Sequence, residues 1–389
     1  MQKEELLNCF EEIYGGGGEI RVFFAPGRAN LIGDHIDRCG GHVFPIALTL
    51  GVCCAVRKRT DRTVQMASLN KEAGRVRGFL LDSPYKADPE DWRDCPRAVL
   101  EVFSERDFVL PCGMDILYSG DIPIGDGLAS SAAMEYATAL MVKSLFSFHD
   151  LSKRDLINLC LRAAVLRTGM DWGILDYCAP ALGSSGLAIL LTTKKQQIEY
   201  VPLQLGEAKL IITCSGVRGE GIYPVLVSRL EECEKALKKL KVVTNINQLC
   251  DLSVDTFNNC KDVIMNDTYM KRARHVVTEN ARTIRSVSAL RVGNIRRFGE
   301  PMYLSHASLR DDYEASCPEL DFIVDMAKGI PGVLGSRMMG VGFGGSAISL
   351  VESGAEEQFR SALSEAYESR FGYALRFYTA EAGDGAMEL

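Results

Sequence analysis

The 389-residue chain lacks a basic excess: 44 Lys and Arg stand against 51 Asp and Glu, a formal charge of −7. Non-specific nucleic-acid binding needs a basic footprint, so the charge balance argues against that class. No apolar run approaches the roughly 20 residues of a membrane-spanning helix. The 13 cysteines include no C-x-x-C pair. Most lie in apolar runs, such as Cys160 in LINLCLRAAVL, and read as reduced thiols of a cytosolic core rather than a disulfide framework or zinc site. Histidine is scarce, with five in all, and His42, His149, His275 and His306 show no metal-ligand spacing. The acidic, helix-patterned start MQKEELLNCFEEIYG has no signal-peptide core. Tandem repeats and low-complexity tracts are also missing. With 47% hydrophobic and 24% charged residues, the chain is an ordinary globular one of a length that suits two domains.

What is present is an α+β pattern. A helix over 3–14 ends at GGGG (15–18). Strands are expected at Ile20–Ala25, Val43–Thr49, Val52–Lys58, Thr63–Ser68 and Met114–Ser119, with helices over 92–104, 131–147 and 153–167. Strands at 186–192 and 209–215 follow. The rest is mostly helical (223–240, 256–264, 268–292, 294–308, 318–328 and 354–371), over strands at Ser336–Met339, Ser346–Val351 and Ala374–Thr379. The pattern breaks at KKQQ near residue 195, which divides the chain into 1–195 and 196–389.

Four segments carry chemistry. APGRANLIGDHIDRCGG (25–41) sets Arg28, Asp34, His35, Asp37 and Arg38 among glycines, between apolar strand-like runs. It reads as a strand and sharp turn holding polar groups against something small. DIPIGDGLASSAAMEYATAL (121–140) runs a Gly-rich loop into a helix. Backbone N–H groups and a helix amino end suit an anion, and Ser130 and Ser131 offer hydroxyls for phosphate or Mg²⁺; an ordinary Ser-capped helix is the other reading. No Lys-Ser/Thr pair follows the glycines, so this is not a Walker A loop. RMMGVGFGGSAISLV (337–351) contains G-x-G-x-x-G, but the glycines precede a strand, which excludes a dinucleotide fingerprint. It is either a plain turn or one closing over a ligand. In TGMDWGILDYCAPALGSSGLAILL (168–191), Asp176 sits among apolar neighbours. It is either a helix cap or a buried carboxylate needing a partner, for which Arg28 is a candidate.

In this order the segments resemble the GHMP small-molecule kinases, and within them the galactokinase family. GRANLIGDHIDRCGG is similar to the signature G-R-x-N-L-I-G-E-H-x-D-Y-x-G-G, and IGDGLASSAA to the ATP motif G-x-G-L-S-S-S-A. GILDY resembles G-I-M-D-Q, and both SHASLRDDYEASCPELD (305–321) and RMMGVGFGGS resemble the carboxy-terminal signatures. The resemblance spans about residues 20–385. It implies a two-lobed fold: a mixed-sheet domain over 1–195, a helix-covered antiparallel-sheet domain over 196–389, and the active site between them. It implies an ATP-dependent kinase acting on the anomeric hydroxyl of a galactose-type sugar. Arg28 and Asp176 match the catalytic pair. Asp34, His35, Asp37, Gly173 and Tyr223 match sugar contacts. Gly125, Gly127, Leu128, Ala129, Ser130, Ser131 and Ala132 match the ATP loop, with the Ser131 hydroxyl on Mg²⁺. Gly340, Gly342, Gly344 and Gly345 form the third-motif loop. A cytoplasmic protein, monomeric or weakly dimeric, with no nucleic-acid or membrane partner is expected.

The chain departs from the pattern mostly around the sugar. Asp34 stands for Glu, Ile36 for Thr, Arg38 for Tyr and Tyr177 for Gln. Ala129 replaces the first Ser of the ATP motif, and WRDCPRA keeps only Trp92 of W-x-x-Y-x-x-G. Ile36 and Arg38 are therefore specificity candidates. Arg38 could pair with a uronate carboxylate, point into solvent or pair with Asp34. Galactose is the first choice of substrate, then galacturonate, then N-acetylgalactosamine. A catalytically silent sugar sensor is the competing class, although Arg28, Asp176 and the serines of the loop are all in place. His306, Asp311 and Asp312 read as structural. Glu135, one turn past Ser131, is a possible second Mg²⁺ ligand.

Overall fold

The computed structural model describes residues 3–88, 90–170, 173–219 and 221–389. In chain order, α1 (Lys3–Tyr14) is followed by β1 (Arg21–Asn30), β2 (His42–Val43), β3 (Pro45–Lys58), β4 (Thr63–Ser68), β5 (Arg77–Leu80), α2 (Asp94–Glu105), β6 (Met114–Gly120), α3 (Ser130–Leu145), α4 (Lys153–Thr168), α5 (Leu175–Leu182), β7 (Leu187–Thr192), β8 (Gln197–Pro202) and β9 (Ala208–Cys214). Then come α6 (Tyr223–Leu240), α7 (Val254–Cys260), α8 (Asp267–Arg291), α9 (Ile295–Ser308), α10 (Pro318–Gly329), β10 (Val333–Met339), β11 (Ser346–Glu352), α11 (Glu356–Phe371), β12 (Arg376–Ala380) and β13 (Met387–Glu388).

The first sheet has the order β13-β1-β3-β6-β4-β5 and is mixed, because β4 and β6 run parallel while the other pairs are antiparallel. Side chains alternate across it, as the two-residue period requires. Phe23, Cys54 and Val56 join the large core that includes α2, α3 and α4. Val22 and Ala55 turn the other way and meet Leu6 and Phe10 of α1. The Ala-rich stretch of α3 is buried, and its small side chains let it lie close to β1 and β3. Two strands expected at Val43–Thr49 and Val52–Lys58 are a single one, β3. Gly51 stays paired opposite Pro26, so no turn interrupts it.

The second sheet, β10-β11-β9-β12, is antiparallel throughout, and α9, α10 and α11 pack on it. A third, smaller sheet pairs β2, β7 and β8. The KKQQ break falls in the turn of the β7–β8 hairpin, where Thr192 pairs with Gln197. The chain end returns to the first sheet, with Glu388 opposite Phe23. Among the described residues, no helix is long and apolar enough to cross a membrane.

Candidate active site

A cavity opens where loop 31–41, α5, α6 and the β10–β11 turn meet. Arg28 reaches it from the end of β1. Its Nε and Nη2 donate to Asp176 Oδ1 at 2.9 and 2.6 Å, and its Nη1 donates to the Gly127 carbonyl at 2.8 Å. Asp176 lies in the first turn of α5, where a carboxylate is favoured by the helix dipole. The short apolar run around it reads ambiguously by periodicity, so α5 was not among the expected helices.

Asp34, His35, Asp37, Gly173 and the specificity candidate Arg38 line this cavity, together with Tyr313. Ile36 is fully buried and packs into the core below it. Asp37 and Asp176 are close enough to interact. Burial, and after it the charge of Asp176, pushes the Asp37 carboxyl up to about 6. Gly173 is fixed by sterics: a Cβ there would lie 1.6 Å from Asp37 Oδ2. His35 has left-handed backbone (φ 61°) and its ring stacks on Tyr313 with centroids 4.6 Å apart. Its Nε2 is buried without a protein partner among the described residues, and burial lowers its pKa, which favours the neutral ring. Tyr223 opens α6, is 44% exposed, and is not among the residues lining the cavity; Leu226 and Leu230 of the same helix are.

Asp34 does not pair with Arg38. Its Oδ2 accepts from Arg337 Nη2 at 2.6 Å and its Oδ1 from Asn30 Nδ2 at 2.8 Å. Arg337 is fully buried and also donates to the Asn30 carbonyl and to Ser305 Oγ. Behind the loop, α8 presents a buried polar stripe of Arg272, His275, Glu279 and Thr283 at helical spacing. Glu279 accepts from Gly33 N–H at 3.0 Å, and His275 bonds the Asp34 carbonyl at 3.2 Å. Burial holds His275 down at about 3. This bracing was missed in the sequence, where polar letters on a long helix look like a solvated face. His306 and Asp312 are structural: His306 Nδ1 accepts from Met338 N–H, and Asp312 bonds Ser308 and Arg274. Asp311 pairs with Arg310 beside it.

The Gly-rich loop carries positive φ at Gly125 and Gly127 and, unusually for a residue with a Cβ, at Ala129. Ala129 is the N-cap of α3 and makes no side-chain cap. The Ser-capped reading is therefore corrected: Ser130 and Ser131 are the first two helical residues, and the amino end of α3 receives no side-chain acceptor from its cap. Such an end suits an anion. Leu128 is buried, and its carbonyl accepts from Arg28 N–H; Ala132 is buried in the first turn of α3. Ser346 Oγ donates to the Asp126 carbonyl at 2.7 Å, and Arg376 to the Asp126 carboxylate at 2.6 Å. These bonds tie the loop to the glycines at 340, 342, 344 and 345, which all have positive φ. Gly340 and Val341 line the first cavity as well, so the third-motif turn borders it rather than being a remote corner.

A second cavity lies on the other side of Ser130 and Ser131, walled by Trp92, Tyr118, Ile122 and Met134. Trp92 meets Tyr118 edge to face at 5.9 Å. Its apolar, aromatic wall beside an anion-binding helix end has the makeup of a nucleotide site. Glu135 does not serve a metal here: it is fully buried and bonded to Arg167 and Tyr177. Among the described residues no group of three or more His, Cys, Asp or Glu could hold a metal. The Ser131 hydroxyl fits Mg²⁺ only as one ligand beside substrate phosphates and water, which is the usual pattern for this ion.

Comparison with known proteins agrees with this geometry. Models of the galactokinase galactose-binding signature, the GHMP kinase N-terminal domain and the GHMP kinase C-terminal domain match residues 8–58, 95–184 and 286–369. Galactokinase of Clostridium tetani is 41% identical over 389 residues, covering 100% of this chain and 98% of the relative. That of Enterococcus faecalis is 39% identical over 388 residues, covering 100% of both. The crystal structure of Lactococcus lactis galactokinase complexed with galactose superposes with a TM-score of 0.94 at 36% identity, covering 99% of each chain. The chain belongs to the galactokinase family of the GHMP kinases.

Proposed function

We propose that this chain is an ATP-dependent galactose kinase that transfers the γ-phosphoryl group of ATP to the anomeric hydroxyl of the sugar. One observation carries the reading: Arg28 holds Asp176 and the Gly127 carbonyl at once. The candidate base, which lines the first cavity, is thereby locked beside the phosphate loop.

In this reading Asp176 accepts the proton of the anomeric hydroxyl. The hydroxyl oxygen forms the bond to the γ-phosphorus, and ADP leaves with the electrons of the broken bond. Arg28 holds Asp176 in place and offsets charge at the transferring group. Asp34, His35, Asp37 and Gly173 are the sugar contacts, with the His35 Nε2, which has no protein partner among the described residues, available to a hydroxyl. The loop 125–132 cradles the phosphates. Ser131 would hold Mg²⁺ together with those phosphates, and the bound ion supplies charge neutralisation. The 13 free cysteines fit a reducing cytoplasm, where the chain would act as a monomer or weak homodimer. The division at residue 195, between the two GHMP kinase matches, belongs to the same proposal.

A second substrate, galacturonate, is favoured by a specific feature. Arg38 lines the cavity, and the charge of Asp34, which would repel a uronate, is neutralised by Arg337. ADP release with Mg-ATP over galactose, galacturonate, N-acetylgalactosamine and glucose separates the readings. Turnover on galactose supports the first and turnover on galacturonate alone the second. Silence on every sugar, with galactose still bound, would leave a sensor.

A further inference from the structure

The last turn of α4 carries Arg167, whose side chain is 13% exposed and lines the nucleotide-type cavity beside Ser130 and Ser131. Its Nε donates to Glu135 Oε1 at 3.1 Å, and its Nη2 lies 3.1 Å from the same oxygen. The other oxygen of Glu135 accepts from the Tyr177 hydroxyl. Burial raises the pKa of Glu135, while Arg167 and Tyr177 work against that shift. Glu135 is therefore committed on both sides and is not itself among the residues lining the cavity.

A guanidinium has five N–H donors in a rigid fork. Glu135 engages one edge of this one, and among the described residues no protein acceptor is bonded to Nη1. Arg167 lines the same cavity as Ser130 and Ser131, the first two residues of the uncapped helix α3. Glu135 offsets the charge of this largely buried cation, but its spare donors, facing a cavity that a helix end of positive polarity also lines, favour a further anion. A chain of phosphates supplies one, and guanidinium–phosphate bonds are among the strongest polar contacts available.

We infer that Arg167 is a nucleotide-binding residue that donates to phosphate oxygens of ATP and ADP, with Glu135 as the positioning residue that aims it. Because Glu135 also holds Tyr177, a single buried carboxylate fixes Arg167 on the nucleotide side and the helix carrying Asp176 on the sugar side. This inference rests on the kinase reading above, which assigns the cavity to a nucleotide.

The test is calorimetric titration of the full chain with Mg-ADP and, separately, with adenosine. Arg167→Met should weaken ADP at least tenfold while leaving adenosine within about twofold, since only ADP carries the groups Arg167 holds. Arg167→Lys, which keeps the charge but not the fork, should fall between. Should Arg167→Met not fold, Arg167→Met combined with Glu135→Gln removes the buried charges together and keeps an acceptor for Tyr177. Equal loss of ADP and adenosine, or no loss of ADP, would overturn the inference while leaving the kinase reading intact. A wild-type chain that binds neither ligand would overturn both.

Discussion

Arg28 directs two of its donors, Nε and Nη2, at one oxygen of Asp176 and leaves the other oxygen, Oδ2, without a protein donor among the described residues. The pair is asymmetric in a useful way. Oδ1 is held, and Oδ2 is free to take a proton from a hydroxyl in the cavity. The third donor fixes the guanidinium to the Gly127 carbonyl, so the carboxylate cannot drift from the phosphate loop.

Replacing Asp176 by Asn keeps the shape and the hydrogen bonding but removes the base. Turnover should fall roughly 10²- to 10⁴-fold, the usual worth of a positioned general base. Galactose affinity should change far less. ADP release and calorimetric binding of galactose measure the two separately. A drop of less than tenfold would mean that positioning alone accounts for the catalysis.

Gly173→Ala should damage sugar binding without unfolding the chain. The new Cβ would lie 1.6 Å from Asp37 Oδ2, so Asp37 must swing out of its place at the cavity. Loss of one buried polar partner to a sugar hydroxyl costs about 1–3 kcal/mol, which corresponds to a KM for galactose raised about 5- to 150-fold. The thermal midpoint should barely move. An unchanged KM would remove Asp37 from the sugar site.

The raised carboxyl of Asp37, at about 6, predicts opposite pH trends for binding and for stability. Below pH 6 Asp37 is protonated and loses its charged acceptor, so the KM for galactose should rise as pH falls from 7 to 5. The folded state, by contrast, holds this proton more tightly than the unfolded chain does. The stabilising contribution is therefore full below the ordinary carboxylate range and lost as pH rises through about 6. Asp37→Asn should flatten the pH profile of KM and remove this part of the pH dependence of unfolding. A profile that keeps its slope in the variant would assign it to another group.

Arg337→Met would leave the Asp34 carboxylate buried with no counter-charge of its own, while Asn30 and Gly340 still donate to it. Breaking a buried pair from one side costs about 3–5 kcal/mol. A large drop in the thermal midpoint, followed by circular dichroism, is expected at neutral pH. A variant as stable as the wild type would mean that the pair is not the brace of loop 31–41.

Much of the secondary structure was legible because its signals are local. GGGG ends α1, Ser152 caps α4 through Asp155, and short, nearly continuous apolar runs mark β6 and β9. The α5 helix was not legible, since eight mostly apolar residues with an internal proline fit no period over so short a window. β5 and β8 were also missed, as edge strands with exposed side chains carry little hydrophobic signal. The catalytic candidates could be named from the sequence because the motif letters are contiguous. Their partners could not: Arg337 lies 303 residues from Asp34, and Arg167 lies 32 from Glu135.

The sequence by itself determined the family, the fold class and the candidate groups for sugar and phosphate. Those follow from residue type and spacing along a short stretch of chain. Only the tertiary structure decided which charges are paired, that α3 begins on an uncapped Ala129, and that the polar stripe of α8 faces inward. Pairing and burial depend on which distant segments the folding chain brings together. A charged side chain looks the same in a string of letters whether it ends in water or against its partner.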